Sequence, residues 1–259
     1  LTETEMILET FIPTEKLKPF VKCYMIVNCD ETIVNSMLPD TSLTFGFRYK
    51  GTTKYLTDVE NSLPFAVVAG LRKSIQLMKD DTNTGNLLVI FNTEGAAAFF
   101  KEPLHNTFGE VLSLNEFSNF KTLNALEDGL CEAKSNEQRI HIIESFLLEK
   151  LCDYKQDPLI ANAVRVIKEY NGLLKVKDLA TNHFISLDAF EKRFRRATGA
   201  SPKQFCYIVR MNSIIGSLNN RSLAQTAFEA DYYDQAHFTK DFKLFTGQTP
   251  TEFLKQSAK

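Results

Sequence analysis

Several broad classes are excluded by what the chain does not contain. No stretch approaches the ~20 consecutive apolar residues that a membrane helix needs, so no membrane span is expected. Cysteine is scarce and unpaired: Cys23, Cys29, Cys131, Cys152 and Cys206 are odd in number and scattered. They have neither C-x-x-C zinc spacing nor the density of a disulfide scaffold, which points to a reducing cytoplasm and to small buried side chains. The four histidines (His105, His141, His183, His237) are isolated, and without metal-ligand spacing they imply no metal and no cofactor. No G-x-S-x-G, Walker or dinucleotide motif is present, and carboxylate pairs such as Asp80-Asp81 fall in polar turns. The chain therefore reads as a protein that is not an enzyme. Its first residues include Glu3, Glu5 and Glu9 and lack the basic n-region of a secretory leader.

What is present is an ordinary globular composition, 44% hydrophobic and 24% charged, over 259 residues. That length suits two domains, each large enough for its own core. The net charge of −2 conceals an asymmetry: residues 1–155 carry 15 Lys and Arg against 22 Asp and Glu, and residues 156–259 carry 15 against 10. An acidic half joined to a basic half is expected when only one domain meets phosphate.

Along the first half the apolar residues alternate. Leu43, Phe45, Phe47 and Tyr49 share one side of a strand, with Thr44, Gly46 and Arg48 on the other. Val21 to Asn28, Phe65 to Leu71, Ile75 to Met78 and Leu87 to Phe91 are further β-type runs between turn clusters. The period then becomes helical, through Phe117, Phe120, Leu123, Leu126 and Leu130, and again through Ile140, Ile143, Phe146, Leu147 and Leu151. Lys155-Gln156-Asp157-Pro158 breaks the pattern. The expected architecture is α+β in two domains. Residues 1–113 form a β-rich, barrel-like domain, 114–155 a helical segment that covers the sheet or pairs two copies, and 156–259 an all-α domain.

The strongest signal is an internal repeat at an offset of 48 residues. Phe190, Phe194, Thr198, Gly199, Ser201, Pro202 and Phe205 align without a gap on Phe238, Phe242, Thr246, Gly247, Thr249, Pro250 and Phe253. In each copy the first two phenylalanines lie on one helix face, and the glycine sits where a left-handed C-terminal cap is wanted. Ser201 to Gln204 and Thr249 to Glu252 are capping boxes with proline at the first helical position. Upstream of each copy a short helix containing Ala180 or Ala227 turns into a cap residue, Ser186 or Asp234. This is a helix-turn-helix unit twice over. Between them Phe205, Ile208, Met211, Ile215 and Leu218 stripe a connecting helix.

These residues, from about Pro158 to Lys255 and including Arg210 and the closing Asp234-Gln235-Ala236-His237-Phe238 run, resemble the DNA-binding domain of the AraC/XylS family of transcription regulators. The resemblance implies that the second helix of each unit enters the major groove of double-stranded DNA, so that one chain reads two adjacent half-sites. It places Asp188, Glu191, Lys192 and Arg195 on the base-reading face of the first recognition helix, and Gln235, Ala236, His237 and Lys240 on that of the second. Gln suits adenine, Lys suits guanine, and Glu accepts from cytosine. Arg193, Arg196, Lys203, Arg221 and Lys243 are the phosphate candidates. Structural alternatives stand beside these roles: Asp188 complements a helix dipole, Glu191 pairs with Arg195 at i, i+4, and His237 packs inward. The chain departs from the family pattern at Asp231, where glycine is usual, and in having two acids on the first recognition helix.

Family members pair this domain with a variable sensor or dimerisation domain. Leu38 to Leu43 and Phe91 to Phe100 weakly resemble one such group. A ligand pocket would be walled by Phe45, Phe47 and Tyr49, unless these side chains simply fill a packed core. The expected function is a ligand- or partner-controlled regulator, with RNA polymerase, a small-molecule effector and a second copy of the chain as further partners. The alternative is an enzyme-like N-terminal domain fused to a DNA-binding module.

Overall fold

A computed structural model describes residues 6–56, 60–218 and 222–257. Among these residues ten strands come first: β1 Met6–Phe11, β2 Val21–Cys29, β3 Ile33–Met37, β4 Thr44–Lys50, β5 Thr53–Leu56, β6 Glu60–Ser62, β7 Ala66–Ala69, β8 Gln76–Asp80, β9 Thr84–Phe91 and β10 Val111–Ser113. They make two antiparallel sheets. One has six strands in the order β1-β2-β9-β4-β7-β10, the other four in the order β3-β8-β5-β6. The two sheets face each other as an open, barrel-like pair.

Strict alternation decides the larger sheet. Phe45, Phe47 and Tyr49 of β4 are buried on one face with Tyr24 and Ile26 of β2 and Leu87, Val89 and Phe91 of β9, and successive strand residues must point oppositely. That face is covered by α1 (Asn124–Glu132) and α2 (Asn136–Lys150). Phe146 of α2 meets Phe47 edge-on at 6.2 Å, and the Arg139 guanidinium lies 4.1 Å from the centre of the Tyr49 ring. Buried Glu144 accepts from Thr14 N at 2.8 Å and from Tyr24 Oη at 3.2 Å, pinning the helix to the sheet. The segment from Leu114 to Phe120 folds as two 3₁₀ turns, Leu114–Glu116 and Ser118–Phe120. The three-residue spacing of Leu114, Phe117 and Phe120 matches that tighter period.

Among the described residues seven helices follow: α3 Pro158–Glu169, α4 Val176–Asn182, α5 Leu187–Thr198, α6 Pro202–Ser217, α7 Leu223–Glu229, α8 Gln235–Thr246 and α9 Pro250–Ser257. Six of their phenylalanines, Phe190, Phe194, Phe205, Phe238, Phe242 and Phe245, are fully buried, whereas Phe228 of α7 is exposed. The two halves share one continuous apolar cluster running from Leu17 to Phe245.

Candidate nucleic-acid interface

The repeat seen in the sequence returns bond for bond. In the first unit, α4 and α5, Ile185 N donates to Ala180 O at 3.2 Å; in the second, α7 and α8, Tyr232 N donates to Ala227 O at 3.0 Å. The residue before each closing bond is left-handed: Phe184 at φ 54° and Asp231 at φ 58°. Ser186 then caps α5 by accepting from Ala189 N at 3.2 Å, and Asp234 caps α8 by accepting from His237 N at 2.7 Å. At the far ends Gly199 (φ 80°) and Gly247 (φ 79°) are left-handed caps. Thr198 and Thr246 donate to the carbonyls of Phe194 and Phe242, at 2.9 and 2.8 Å. Ser201 N and Thr249 N donate to Gln204 Oε1 and Glu252 Oε2, at 2.7 and 2.8 Å, completing both capping boxes.

These restraints fix which side chains each recognition helix presents. On α8, Gln235, Ala236, His237 and Lys240 are all exposed, with Lys243 one turn further on. His237 is exposed, packs edgewise on Tyr232, 5.2 Å between ring centres, and has its Nε2 3.9 Å from Asp241 Oδ2. On α5, Asp188, Lys192 and Arg195 are exposed, while half-buried Glu191 lies 3.7 Å from Arg195. Each helix carries one i, i+4 pair of this kind, and the face of α5 is the more mixed because it also exposes Asp188.

The phosphate candidates divide. Arg196, Lys203 and Lys243 are exposed. Arg193 instead makes a two-pronged pair with Asp157, at 2.8 and 2.7 Å, and Asp157 also caps α3 through Leu159 N. The neighbouring guanidinium and these backbone donors hold the Asp157 carboxyl below its ordinary range despite burial, which acts the other way. In this arrangement Arg193 braces α5 against α3. Arg221 lies outside the described residues. Arg210 of α6 sits 4.9 Å from the Tyr232 ring, and the Tyr232 hydroxyl donates to Asp241 Oδ2 at 3.2 Å. Arg210 thus ties the connecting helix to the second unit.

The β domain reaches the first unit. The 3₁₀ turn Leu104–Thr107 packs on α5, with a Cβ at Gly199 falling 3.3 Å from the Leu104 carbonyl. His105 shares a shallow cleft of about 310 Å³ with Asp188, Glu191, Lys192 and Arg195. No periodicity in the sequence brings His105 there; the contact exists only through the tertiary fold.

Within the β domain a cavity of about 280 Å³ opens between the two sheets. It takes the face of β4 opposite to the one expected, because Phe45, Phe47 and Tyr49 point into the packed core beneath α1 and α2. Its walls include Met25, Met37, Met78 and Phe65, with Arg48, Asn86 and Asp80 as polar members. Asp80 accepts from Thr53 Oγ1 at 2.6 Å and from Asn86 Nδ2 at 2.9 Å. Arg48 uses one N–H on Leu63 O at 2.9 Å. The polar partners of an alternating strand, Gly46 and Arg48, were the sequence signal for this face.

Comparison with known proteins bears on the helical half most directly. A family model described as a helix-turn-helix domain matches residues 179–256. The C-terminal part of this chain is an AraC-type helix-turn-helix domain. A second family model, a domain of unknown function, matches residues 9–113. Over 154 residues the chain is 27% identical to the Msm operon regulatory protein of Streptococcus mutans, covering 58% of this chain and 55% of that protein. Over 136 residues it is 25% identical to YidL of Escherichia coli, an uncharacterized HTH-type transcriptional regulator, covering 49% and 46%. The chain thus spans about half the length of the curated relatives it matches. Among solved structures, ToxT from Vibrio cholerae aligns over 97% of this chain and 98% of its own, at 11% identity and a TM-score of 0.46.

Proposed function

We propose that this chain is a sequence-specific DNA-binding transcription regulator that lays α5 and α8 in adjacent major grooves and senses a small molecule through its β domain. The observation that carries the reading is the duplication, cap for cap, of a helix-turn-helix whose second helix turns polar side chains to solvent. A structural bundle has no need to repeat both turns and leave Gln235, His237 and Lys240 exposed on one helix. The basic balance of residues 156–259 supplies the sequence-independent attraction to phosphate. Base contacts fall mainly to α8, and α5, with Asp188 and Glu191 on its face, chiefly holds the backbone.

The cavity between the sheets supports the sensing role: adaptable methionine walls with a few convergent polar groups are the usual make-up of a small-molecule site. RNA polymerase and a second copy of the chain belong to this reading as partners. The test is selection of bound fragments from a random duplex library, followed by titration against salt. A preferred sequence bound at least ~10³-fold more tightly than bulk duplex, with affinity falling steeply as salt rises, is expected. Equal binding to every duplex would sink the proposal. A monomeric mass by light scattering at micromolar concentration would remove the second copy from it.

A further inference from the structure

The β domain touches both helix-turn-helix units, and it does so at matching places in the repeat. The turn Leu104–Thr107 sits at the left-handed cap of α5: a Cβ on Gly199 would fall 3.3 Å from the Leu104 carbonyl oxygen and 3.5 Å from the Leu104 Cβ. The loop that leads into β8 sits at the left-handed cap of α8, where a Cβ on Gly247 would fall 3.4 Å from Ile75 Cδ1. Ile75 N also donates to Leu244 O at 3.3 Å. Leu244 lies in the last turn of α8, where carbonyls lack a partner within the helix, and the β domain supplies one. Close by, Lys73 Nζ stands 5.6 Å from the centre of the Tyr207 ring on α6, and that ring meets Phe245 of α8 edge-on at 5.9 Å.

The turn and the loop are tied into one piece. Gly70 N donates to Glu110 O at 3.0 Å, and Gly109 N to Leu71 O at 2.7 Å. A Cβ at Gly70 would fall 1.9 Å from the Thr107 carbonyl oxygen, so glycine is what lets the loop lie against the turn. Ile75 is half-buried yet takes no part in the continuous apolar cluster; its side chain serves the contact with α8 and not a core.

The place of the turn decides what the contact does. His105 lines its cleft of about 310 Å³ together with Asp188, Glu191, Lys192 and Arg195, the four residues on the groove-facing side of α5. A helix with its side chains is about 10–12 Å across and the major groove is ~12 Å wide, so a seated recognition helix has base edges in front of that side and sugar-phosphate to either hand. The turn stands in the space that such DNA needs. We propose that the β domain is an autoinhibitory latch: in this conformation Leu104–Thr107 keeps a duplex off α5, Lys73–Ile75 holds the end of α8, and both contacts must open before α5 enters a groove. The apparent Kd for DNA then rises in inverse proportion to the fraction of open molecules. This inference rests on the regulator reading proposed above.

The experiment locks the contact and then loosens it, in the full chain. The 3.5 Å between the Cβ positions of Gly199 and Leu104 is a separation that a disulfide spans. A chain carrying Leu104→Cys and Gly199→Cys together is oxidised, the new bond is verified by loss of alkylatable thiol, and binding to the selected duplex is measured before and after reduction. The wild-type chain, with its own free cysteines, passes through the same cycle. The oxidised double variant is expected to bind at least about tenfold more weakly than the same protein reduced, with the wild type unchanged. Equal binding by the two forms would mean that DNA and the contact coexist, and would overturn the latch. Cysteine at 199 strains the left-handed cap in both forms, so the comparison stays within one protein. Ile75→Asp answers the same question without touching that cap, by setting a carboxylate against the negative end of α8. It should bind the selected duplex about threefold or more tightly than wild type with the same sequence preference; unchanged or weaker binding by a variant that melts cooperatively would overturn the latch. If neither the wild type nor Ile75→Asp selects a duplex, the regulator reading fails and the latch with it, whereas a selected duplex bound equally by locked and unlocked chains removes the latch alone.

Discussion

Phe184 is the most unusual single residue in the C-terminal half. It is bulky, 96% exposed, and left-handed at φ 54°, a conformation that costs an L-residue roughly 1–2 kcal/mol when no local bond relieves it. Asp231 fills the equivalent place in the second turn, and aspartate tolerates it better. Phe184→Asn is therefore expected to stabilise the protein by about 0.5–1 kcal/mol in urea denaturation; a loss of stability would mean that the exposed ring has a packing role that the turn geometry hides. On α8 the roles of neighbours separate. Gln235→Ala should flatten the preference for one duplex sequence, whereas Lys243→Ala should weaken all sequences alike and make the salt slope shallower by about 1. Fragment selection and salt titration of the two variants read these effects directly, and the reverse pattern would reassign the face of the helix.

Among the elements, the recognition helices owe their ends to a four-part device used twice: a left-handed glycine, a threonine folded back on the preceding turn, a capping box and a proline. Gly199 is the more constrained of the two glycines, since an added Cβ there meets the Leu104 carbonyl at 3.3 Å, whereas at Gly247 it meets only the Ile75 side chain at 3.4 Å. Gly199→Ala is expected to cost about 1–2 kcal/mol, more than Gly247→Ala, because φ strain and a backbone contact add. Equal losses in thermal unfolding would argue that the turn on α5 yields freely. The alternating pattern of β4 belongs to the same scale. Its two faces build two different things, a packed core under α2 and a cavity between sheets, and sequence periodicity shows that the faces differ without showing which one is closed.

At the scale of the whole molecule, the joint between the halves brings together Glu94, Asp157, Lys168 and Arg193. Burial raises the Glu94 carboxyl to about 7, the nearby Asp157 charge adding to the effect while Gln156 and Lys168 oppose it. Its ordinary value is 4.5, so between those two values the folded protein holds a proton that the unfolded chain releases. Stability must then fall as pH rises through that window, with the full loss present above pH 7. We expect denaturation midpoints to be higher at pH 5.5 than at pH 8, and Glu94→Gln to flatten this difference. An unchanged slope in the variant would place the pH dependence elsewhere.

The helical half was legible because its information is local. Caps, a left-handed glycine, paired phenylalanines and a gapless 48-residue repeat each act within a turn or two, and together they dictate helix, turn and exposed face before any long-range contact forms. The core strands of the β half were legible for the same reason, their alternation marking β2, β4, β7, β8 and β9. The shorter strands β1, β3, β5, β6 and β10 carry too few alternating residues to stand out, and they form because a neighbour offers hydrogen bonds. Tertiary structure alone decided that Phe45, Phe47 and Tyr49 face the helices and that Arg193 is spent on Asp157. It also set His105 beside the first recognition helix and Ile75 against the end of the second. Each of those outcomes depends on which surfaces meet, and burial and polar pairing exist only once they do.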